Sequence, residues 1–377
     1  MSPRIAIVGE AWGEQEAMVG RAFFGPAGQE LTRMLSEAGI DRNSCLLLNL
    51  FNFRPANNDI STLCGKRNEV DRAYADLRAN LVRDFPDFPW PLTYDFPTLG
   101  KPGSFLSPTF LPHLGSLIRS LRSYKPDLVF LLGNTPSWAV LRRTGIGKLR
   151  GYEYQSPYLD SARCIPTYHP AAVLRQYSHR PLVVADFSKG LRLHRQASAG
   201  GSLLQRTLWL QPGLDDLQAW WAEHVRSVSE PLAVDIETAG RQITSIAFGT
   251  SASAICIPFV CDDRASPASY WPTLELELRA LESVRAWLGS ENPKIFQNAL
   301  YDLQWIWRVW GFPVRGRIED TMLIQHALQP EMSKDLGFLG SAYTDEKAWK
   351  DLGRHKSRGK SRASKLPQTE EPDHEHS

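Results

Sequence analysis

The chain is poor in cysteine, has no long apolar run and carries no excess of charge of either sign. Its five cysteines, Cys45, Cys64, Cys164, Cys256 and Cys261, form an odd, scattered set with no C-x-x-C pair, which excludes a disulfide framework and a zinc ribbon. Cys256 and Cys261 have no adjacent histidine and read as buried or free thiols. No stretch approaches the roughly 18 apolar residues of a membrane span, and Glu10 and Glu14 interrupt the amino terminus too early for a signal peptide. A cytoplasmic protein without a membrane partner is expected. The 43 lysines and arginines nearly balance 41 aspartates and glutamates, leaving +2, so any basic binding surface is local. The dinucleotide fingerprint G-x-G-x-x-G is also absent, which argues against a nicotinamide enzyme.

What is present is an ordinary globular composition over 377 residues, 42% hydrophobic and 22% charged, enough for two domains with separate cores. RIAIVG, CLLLNLF and DLVFLLG are short buried-strand runs, and they alternate with the helical patterns GQELTRMLSEAGI and FLPHLGSLIRSLRSY. Such alternation predicts a three-layer α/β/α domain with a mainly parallel sheet over residues 1–195. The small, glycine-bearing segment QASAGGSLLQ, residues 196–205, reads as a linker. In residues 206–352, PLAVDIETAG, RQITSIAFGT and SAICIPFV read as strands, with helices after them. That order predicts α/β with a mixed sheet. Residues 353–377 almost lack apolar side chains and are expected to be disordered.

Sites in open α/β sheets gather at the carboxyl ends of strands. Here the first strand runs into GEAWGEQE and then GRAFFGPAG, the second delivers Asn49 and FNFRPANND, and PTYHPAAVLR places His169 in a proline-bounded turn. Taken singly, Phe23 reads equally as a core aromatic, and Glu10, Asn49 and His169 as capping or turn residues. Together, over about the first 190 residues, they resemble the uracil-DNA glycosylase superfamily, most closely its family 4 type. The resemblance implies that Glu10 and Glu16 are acids near the sugar, that Phe23 stacks on an extruded base, that Asn49 reads the uracil edge and that His169 faces the leaving group. An extruded base needs such an aromatic face, worth roughly 1 to 3 kcal/mol. Lys148 and Arg150 in GIGKLRG, together with Arg175, are candidate phosphate contacts. Trp12 and Ala22 replace prolines of the family pattern, and Ala171 replaces the serine after H-P. The family's iron-sulfur cluster needs four cysteines, yet the amino-terminal pair is missing and Phe53 holds a ligand position, so no cluster is expected.

In the second region Asp235 and Glu237 of LAVDIET sit two apart on a strand and project from one face. Asn298 and Asp302 in FQNALYDLQWI share a helix face, and IEDTMLIQHAL supplies Asp320. The set resembles the 3′-to-5′ exonuclease domain of the DNA polymerase I family, a ribonuclease H-like fold, over residues 206–350. That resemblance implies two magnesium or manganese ions held by Asp235, Glu237 and Asp302, Asn298 near DNA, and Asp320 stabilising the fold. The family's last motif, Tyr-x-x-x-Asp, is missing, since Tyr343 has Lys347 four residues later; Asp345 and Asp351 are the conceivable substitutes. A weak metal site follows.

Two readings stay open. In one the protein is a hydrolase of DNA repair or replication, excising uracil or trimming 3′ ends of single-stranded or base-flipped DNA. In the other it is a non-catalytic DNA-binding accessory, completed by a separately encoded DNA polymerase. The combination looks like the front end of a phage-type polymerase fusion, which implies a prokaryotic or phage-infected cell.

Overall fold

The computed structural model describes residues 3–198, 206–225, 227–261 and 268–346. Two sheets each carry their own apolar core, as the alternation of patterns predicts. In the first, β1 (Ile5–Ala11) lies between β2 (Leu46–Phe51) and β3 (Leu128–Leu132), and β5 (Arg163–Thr167) follows β3. These four are parallel, and the two-residue β4 (Tyr154–Gln155) pairs antiparallel at the edge.

Strand side chains alternate between faces, and β1 splits accordingly. Ala6 and Val8 pack with α3 (Arg67–Asp84), α4 (Leu111–Tyr124) and α5 (Asn134–Leu141). Ile5 and Ile7 pack on the other side with α2 (Pro26–Glu37), α7 (Pro170–Arg175) and α8 (Arg180–Ser198). Three layers follow, with each buried Leu, Val, Ile or Phe contributing roughly 1.5–3 kcal/mol. Two short helices, α1 (Glu14–Val19) and α6 (Ile146–Leu149), sit in the connections. Helix α8 runs through the first three residues of the expected linker to Ser198, and residues 199–205 lie outside the described residues.

The second sheet is mixed, in the order β11-β10-β7-β8-β9-β6. Its centre is an antiparallel meander of β7 (Leu232–Ala239), β8 (Gln242–Gly249) and β9 (Ser253–Pro258). β10 (Lys294–Phe296) and β11 (Ile318–Asp320) extend it in parallel on one side and β6 (Thr207–Trp209) on the other. Helices α9 (Leu214–His224), α10 (Leu274–Leu288) and α11 (Ala299–Trp310) cover it, burying Trp220, Trp287 and Ile306 against Phe248 and Phe296. Two further helices, α12 (Thr321–Leu328) and α13 (Leu336–Tyr343), close the described chain. The expected tail, residues 353–377, lies outside the described residues.

Candidate active site

The carboxyl ends of β1, β2 and β5 bring five of the expected residues to one place. Gly9 of β1 faces Asn49 of β2 in register. With no side chain on Gly9, the Asn49 amide and the Phe23 ring both close over its backbone. Asn49 is 5% exposed and its Oδ1 has no hydrogen-bond partner. A native core seldom leaves such an acceptor unpaired, and Asn49 Oδ1 is free of bonds to the described protein atoms. Phe23, buried and held at a left-handed φ of 57° by a bond from the Arg42 guanidinium to its carbonyl oxygen (2.7 Å), forms the adjacent wall.

His169 caps α7: its Nδ1 accepts from the Ala171 amide at 3.1 Å. The proton of the neutral ring therefore sits on Nε2. Burial lowers the imidazole to about 4, with Arg175 adding to the fall and Glu16 opposing it, so the ring is neutral across the physiological range. Its ring centroid lies 6.4 Å from that of Phe23. Glu10, at the end of β1, accepts a hydrogen bond from the Thr135 hydroxyl. Burial raises its pKa, while Thr135 and Arg175 pull it back. A cleft of about 450 Å³ opens beside it, lined by Asp59, Asn134 and Thr135 among others.

Thr135 and Gly9 escaped the sequence reading. Thr135 is the second residue of α5, just after the third strand, and its position after a strand end is the available signal. Glu16 is placed differently from the other acids. It is 8% exposed, and its Oε1 accepts from the Gly25 amide at 2.9 Å, fastening the α1 loop to the start of α2. Two phosphate candidates part company as well. Lys148 and Arg175 are exposed, but Arg150 is 1% exposed and bonded to Asp186, so it faces no phosphate. That expectation is corrected: GIGKLRG ends inside the protein, not on its surface.

On β7, Asp235 and Glu237 are exposed and alternate with buried Val234 and Ile236, as the strand period requires. Asp302, buried on α11, turns its Oδ1 toward the Ile236 amide at 3.2 Å. Burial and the neighbouring Asp235 carboxylate raise Asp302 to about 6, and burial and Glu237 raise Asp235. Asp320 accepts from the amides of Asn298 (3.0 Å), Met322 (2.8 Å) and Ala299 (2.9 Å), joining the starts of α11 and α12. Asn298 is exposed at the start of α11 in a left-handed conformation.

Residues 1–191 match the family profile of the uracil DNA glycosylase superfamily. The chain belongs to that superfamily. Residues 214–371 match the profile of a 3′-5′ exonuclease family, which supplies the second domain. A type-4 uracil-DNA glycosylase of Thermotoga maritima is 28% identical over 193 residues, covering 50% of this chain and 77% of that protein. One from Pyrobaculum aerophilum is 29% identical over 196 residues, with 50% and 75% covered. Among solved structures, the ribonuclease D of Trypanosoma brucei in complex with RNA U12 is similar at 14% identity and a TM-score of 0.26, covering 33% of this chain and 41% of that one. The two domains join a glycosylase-type α/β/α layer structure to an exonuclease-type mixed sheet, an architecture of nucleic-acid processing.

This glycosylase relative does not fit a four-thiolate cluster. Its first domain holds three cysteines. The Cys45 and Cys64 thiols are pushed up to about 11, each chiefly by burial, against thiolate formation. Phe53 instead packs with Phe51, Phe110 and His113 at ring centroid distances of 5.6, 5.9 and 5.2 Å.

Exonuclease-family domains normally use divalent metals, and among the described residues the acids do not assemble a full site. Among the described residues no group of three or more His, Cys, Asp or Glu is arranged to hold a metal ion. Asp235, Glu237 and Asp302 neighbour one another without converging, and Asp320 is spent on backbone amides. Asp345, a conceivable fourth acid, is ion-paired with Arg192 of α8 at 2.6 Å and is thereby corrected; Asp351 lies outside the described residues.

Proposed function

We propose that the protein excises uracil from DNA at the first site and that the exonuclease-type domain binds nucleic acid without cutting it. The unpartnered Asn49 Oδ1 carries the first half. Uracil offers a donor at N3 and an acceptor at O4, matching the amide's oxygen and nitrogen. Cytosine offers the reverse, and would leave a buried group unpaired at a cost of about 1–3 kcal/mol on each unmade bond. Phe23 supplies the stacking face for the flipped base.

Scission of the N-glycosidic bond leaves electrons on uracil and positive charge on the sugar, and water adds at C1′, its proton passing to the Glu10 carboxylate, to complete the hydrolysis. The neutral His169, protonated on Nε2, donates to the oxygen of the departing uracil anion. The Thr135 hydroxyl holds the Glu10 carboxylate, which on this reading lies on the sugar side, faces the oxocarbenium charge and orients water. Arg175 lies within electrostatic reach of both groups and suits the phosphate next to the flipped nucleotide.

The second half follows from the acids. Among the described residues the acids of β7 and α11 form no metal-holding group, which supports retention of a 3′ end in place of hydrolysis, and a role beside a replicative polymerase fits that use. A 5′-labelled single strand with one internal uracil tests both halves. Expected is one alkali-dependent break at uracil, without added metal, lost in Asn49→Ala and His169→Ala. A ladder shortened from the 3′ end with magnesium or manganese, absent in Asp235→Ala, would show a working nuclease and overturn the second half. An intact uracil site under all conditions overturns the first.

A further inference from the structure

The last described helix belongs to the exonuclease match by sequence but packs on the glycosylase-type domain. Arg150, on the connection after α6, is the hub. Its Nε donates to Asp186 Oδ2 at 3.1 Å, with a second bond to Oδ1, while its Nη1 donates to Ser341 Oγ of α13 at 3.0 Å. Lys189 of α8, 4% exposed, donates to the Ser341 carbonyl at 3.0 Å, and the Tyr152 hydroxyl donates to the Gly337 carbonyl. Close approach is built into the backbone: a Cβ on Gly151, at φ 73°, would lie 2.7 Å from Asp186 Oδ1 and 3.0 Å from the Ser341 carbonyl oxygen.

Two routes lead from this seam to the pocket. Asp186 Oδ2 also accepts from the Thr167 hydroxyl at 2.6 Å, at the end of β5 and two residues before His169. Tyr168, the residue between them, packs against Leu182, Phe338 and Leu339 and stacks on His179 at 4.0 Å and 7°. Residues 167–169 therefore lean on a helix from the other domain through both a buried polar chain and an apolar contact. A buried, fully bonded arginine-carboxylate pair is rigid where its partners are all present and costly when one is withdrawn.

We propose that α13 is a positioning element of the glycosylase-type pocket, with Ser341, Phe338 and Leu339 fixing the turn that carries His169. Base handling at the first site then depends on docking of the second domain. What the pocket does with a base rests on the function proposed above; the coupling itself does not.

The test uses the full chain with Phe338→Ala/Leu339→Ala, and Ser341→Ala as the milder variant. Two readouts need no activity: hydrogen exchange of residues 166–175, and the titration of the His169 imidazole by NMR, assigned through His169→Gln. In the native protein His169 faces Glu16 from α1 and Arg175 from α7, and none of the substitutions alters either residue. Expected are exchange in 166–175 faster by about tenfold and a His169 midpoint moving up from about 4 toward the ordinary value near 6.5, with peptides of α9 and α10 unchanged. Faster exchange confined to α13, with an unmoved midpoint, overturns the proposal, and where the double variant fails to fold Ser341→Ala decides by the same criteria. Wild-type protein that excises no uracil defeats the functional reading alone. Excision and exchange both unchanged by undocking defeat the coupling alone.

Discussion

Gly9 and Asn49 stand opposite each other on neighbouring parallel strands, so close that a Cβ on Gly9 would lie 2.3 Å from Asn49 Oδ1 and 2.5 Å from Phe23 Cζ. Asn49 and Phe23 can close over this strand because the position has no side chain. Gly9→Ala must push the amide and the ring apart, and a displacement near 1 Å at such a site costs about a hundredfold in rate. Expected is a loss of uracil excision of that order with a stability penalty of about 1–3 kcal/mol, read from excision kinetics and urea unfolding. A Gly9→Ala protein that excises within twofold of wild type shows that the base sits elsewhere.

The histidine makes a pH prediction. Its folded value of about 4 lies below the ordinary 6.5, so the unfolded chain binds the proton first as pH falls. The stability it contributes is present above pH 6.5 and is lost as pH falls through 6.5 toward 4, by roughly 3 kcal/mol in all. Excision should not drop near pH 6.5, where an ordinary imidazole protonates. His169→Gln should flatten the acid side of the stability profile. A wild-type excision profile with an inflection near 6.5 that His169→Gln abolishes places a titrating imidazole in the pocket and removes the neutral donor.

Much of this was legible in the chain. Buried-strand runs and helical periods gave the first sheet and its order of elements, because parallel strands covered on both faces are written as continuous apolar stretches. The two-residue spacing of Asp235 and Glu237 correctly placed both on the exposed side of β7. What stayed hidden depends on contacts distant in sequence. Arg150 looks like a surface cation among neighbours such as Lys148, and only Asp186, 36 residues away, and Ser341, 191 away, make its burial possible. Asp345 read as a candidate acid, yet its partner Arg192 comes from the other domain. Glu16 carries the right chemistry in the right motif, and the amide of Gly25 claims it.

Lys294 is fully buried at the start of β10, and its ammonium reaches the carbonyl oxygens of Ser290 (2.5 Å), Asn292 (2.9 Å) and Arg315 (3.1 Å) and the Ser290 hydroxyl (3.0 Å). An apolar side chain would leave these acceptors without the ammonium, the Asn292 carbonyl in a buried place. Lys294→Met should therefore destabilise the second domain by about 2–4 kcal/mol, seen as a lower urea midpoint for tryptophan fluorescence, since Trp220 and Trp287 report on that core. A change under 1 kcal/mol would mean that roughly equal burial energy replaces the lost bonds.

Asp302 turns the question of the second site into a stability measurement. Burial and Asp235 hold its folded value at about 6, above the ordinary carboxylate value near 3.9. For an acid raised in this way the cost of folding is absent below pH 3.9, grows as pH rises from the unfolded value near 3.9 to the folded value of about 6, and is complete above that. Asp302→Asn keeps an oxygen for the Ile236 amide and removes the buried charge. In chelator the variant should be more stable than wild type by about 1–3 kcal/mol at pH 8 and equal to it near pH 4. A carboxylate retained at that cost has a use in its charged form, and binding of single-stranded DNA separates the uses. Retained affinity in Asp302→Asn, with no 3′ trimming by wild type, fits a cleft that holds a strand end by shape. Equal stability of the two proteins at pH 8 would instead mean that solvent reaches the carboxylate and that Asp235 and Asp302 do not confront each other in a dry site.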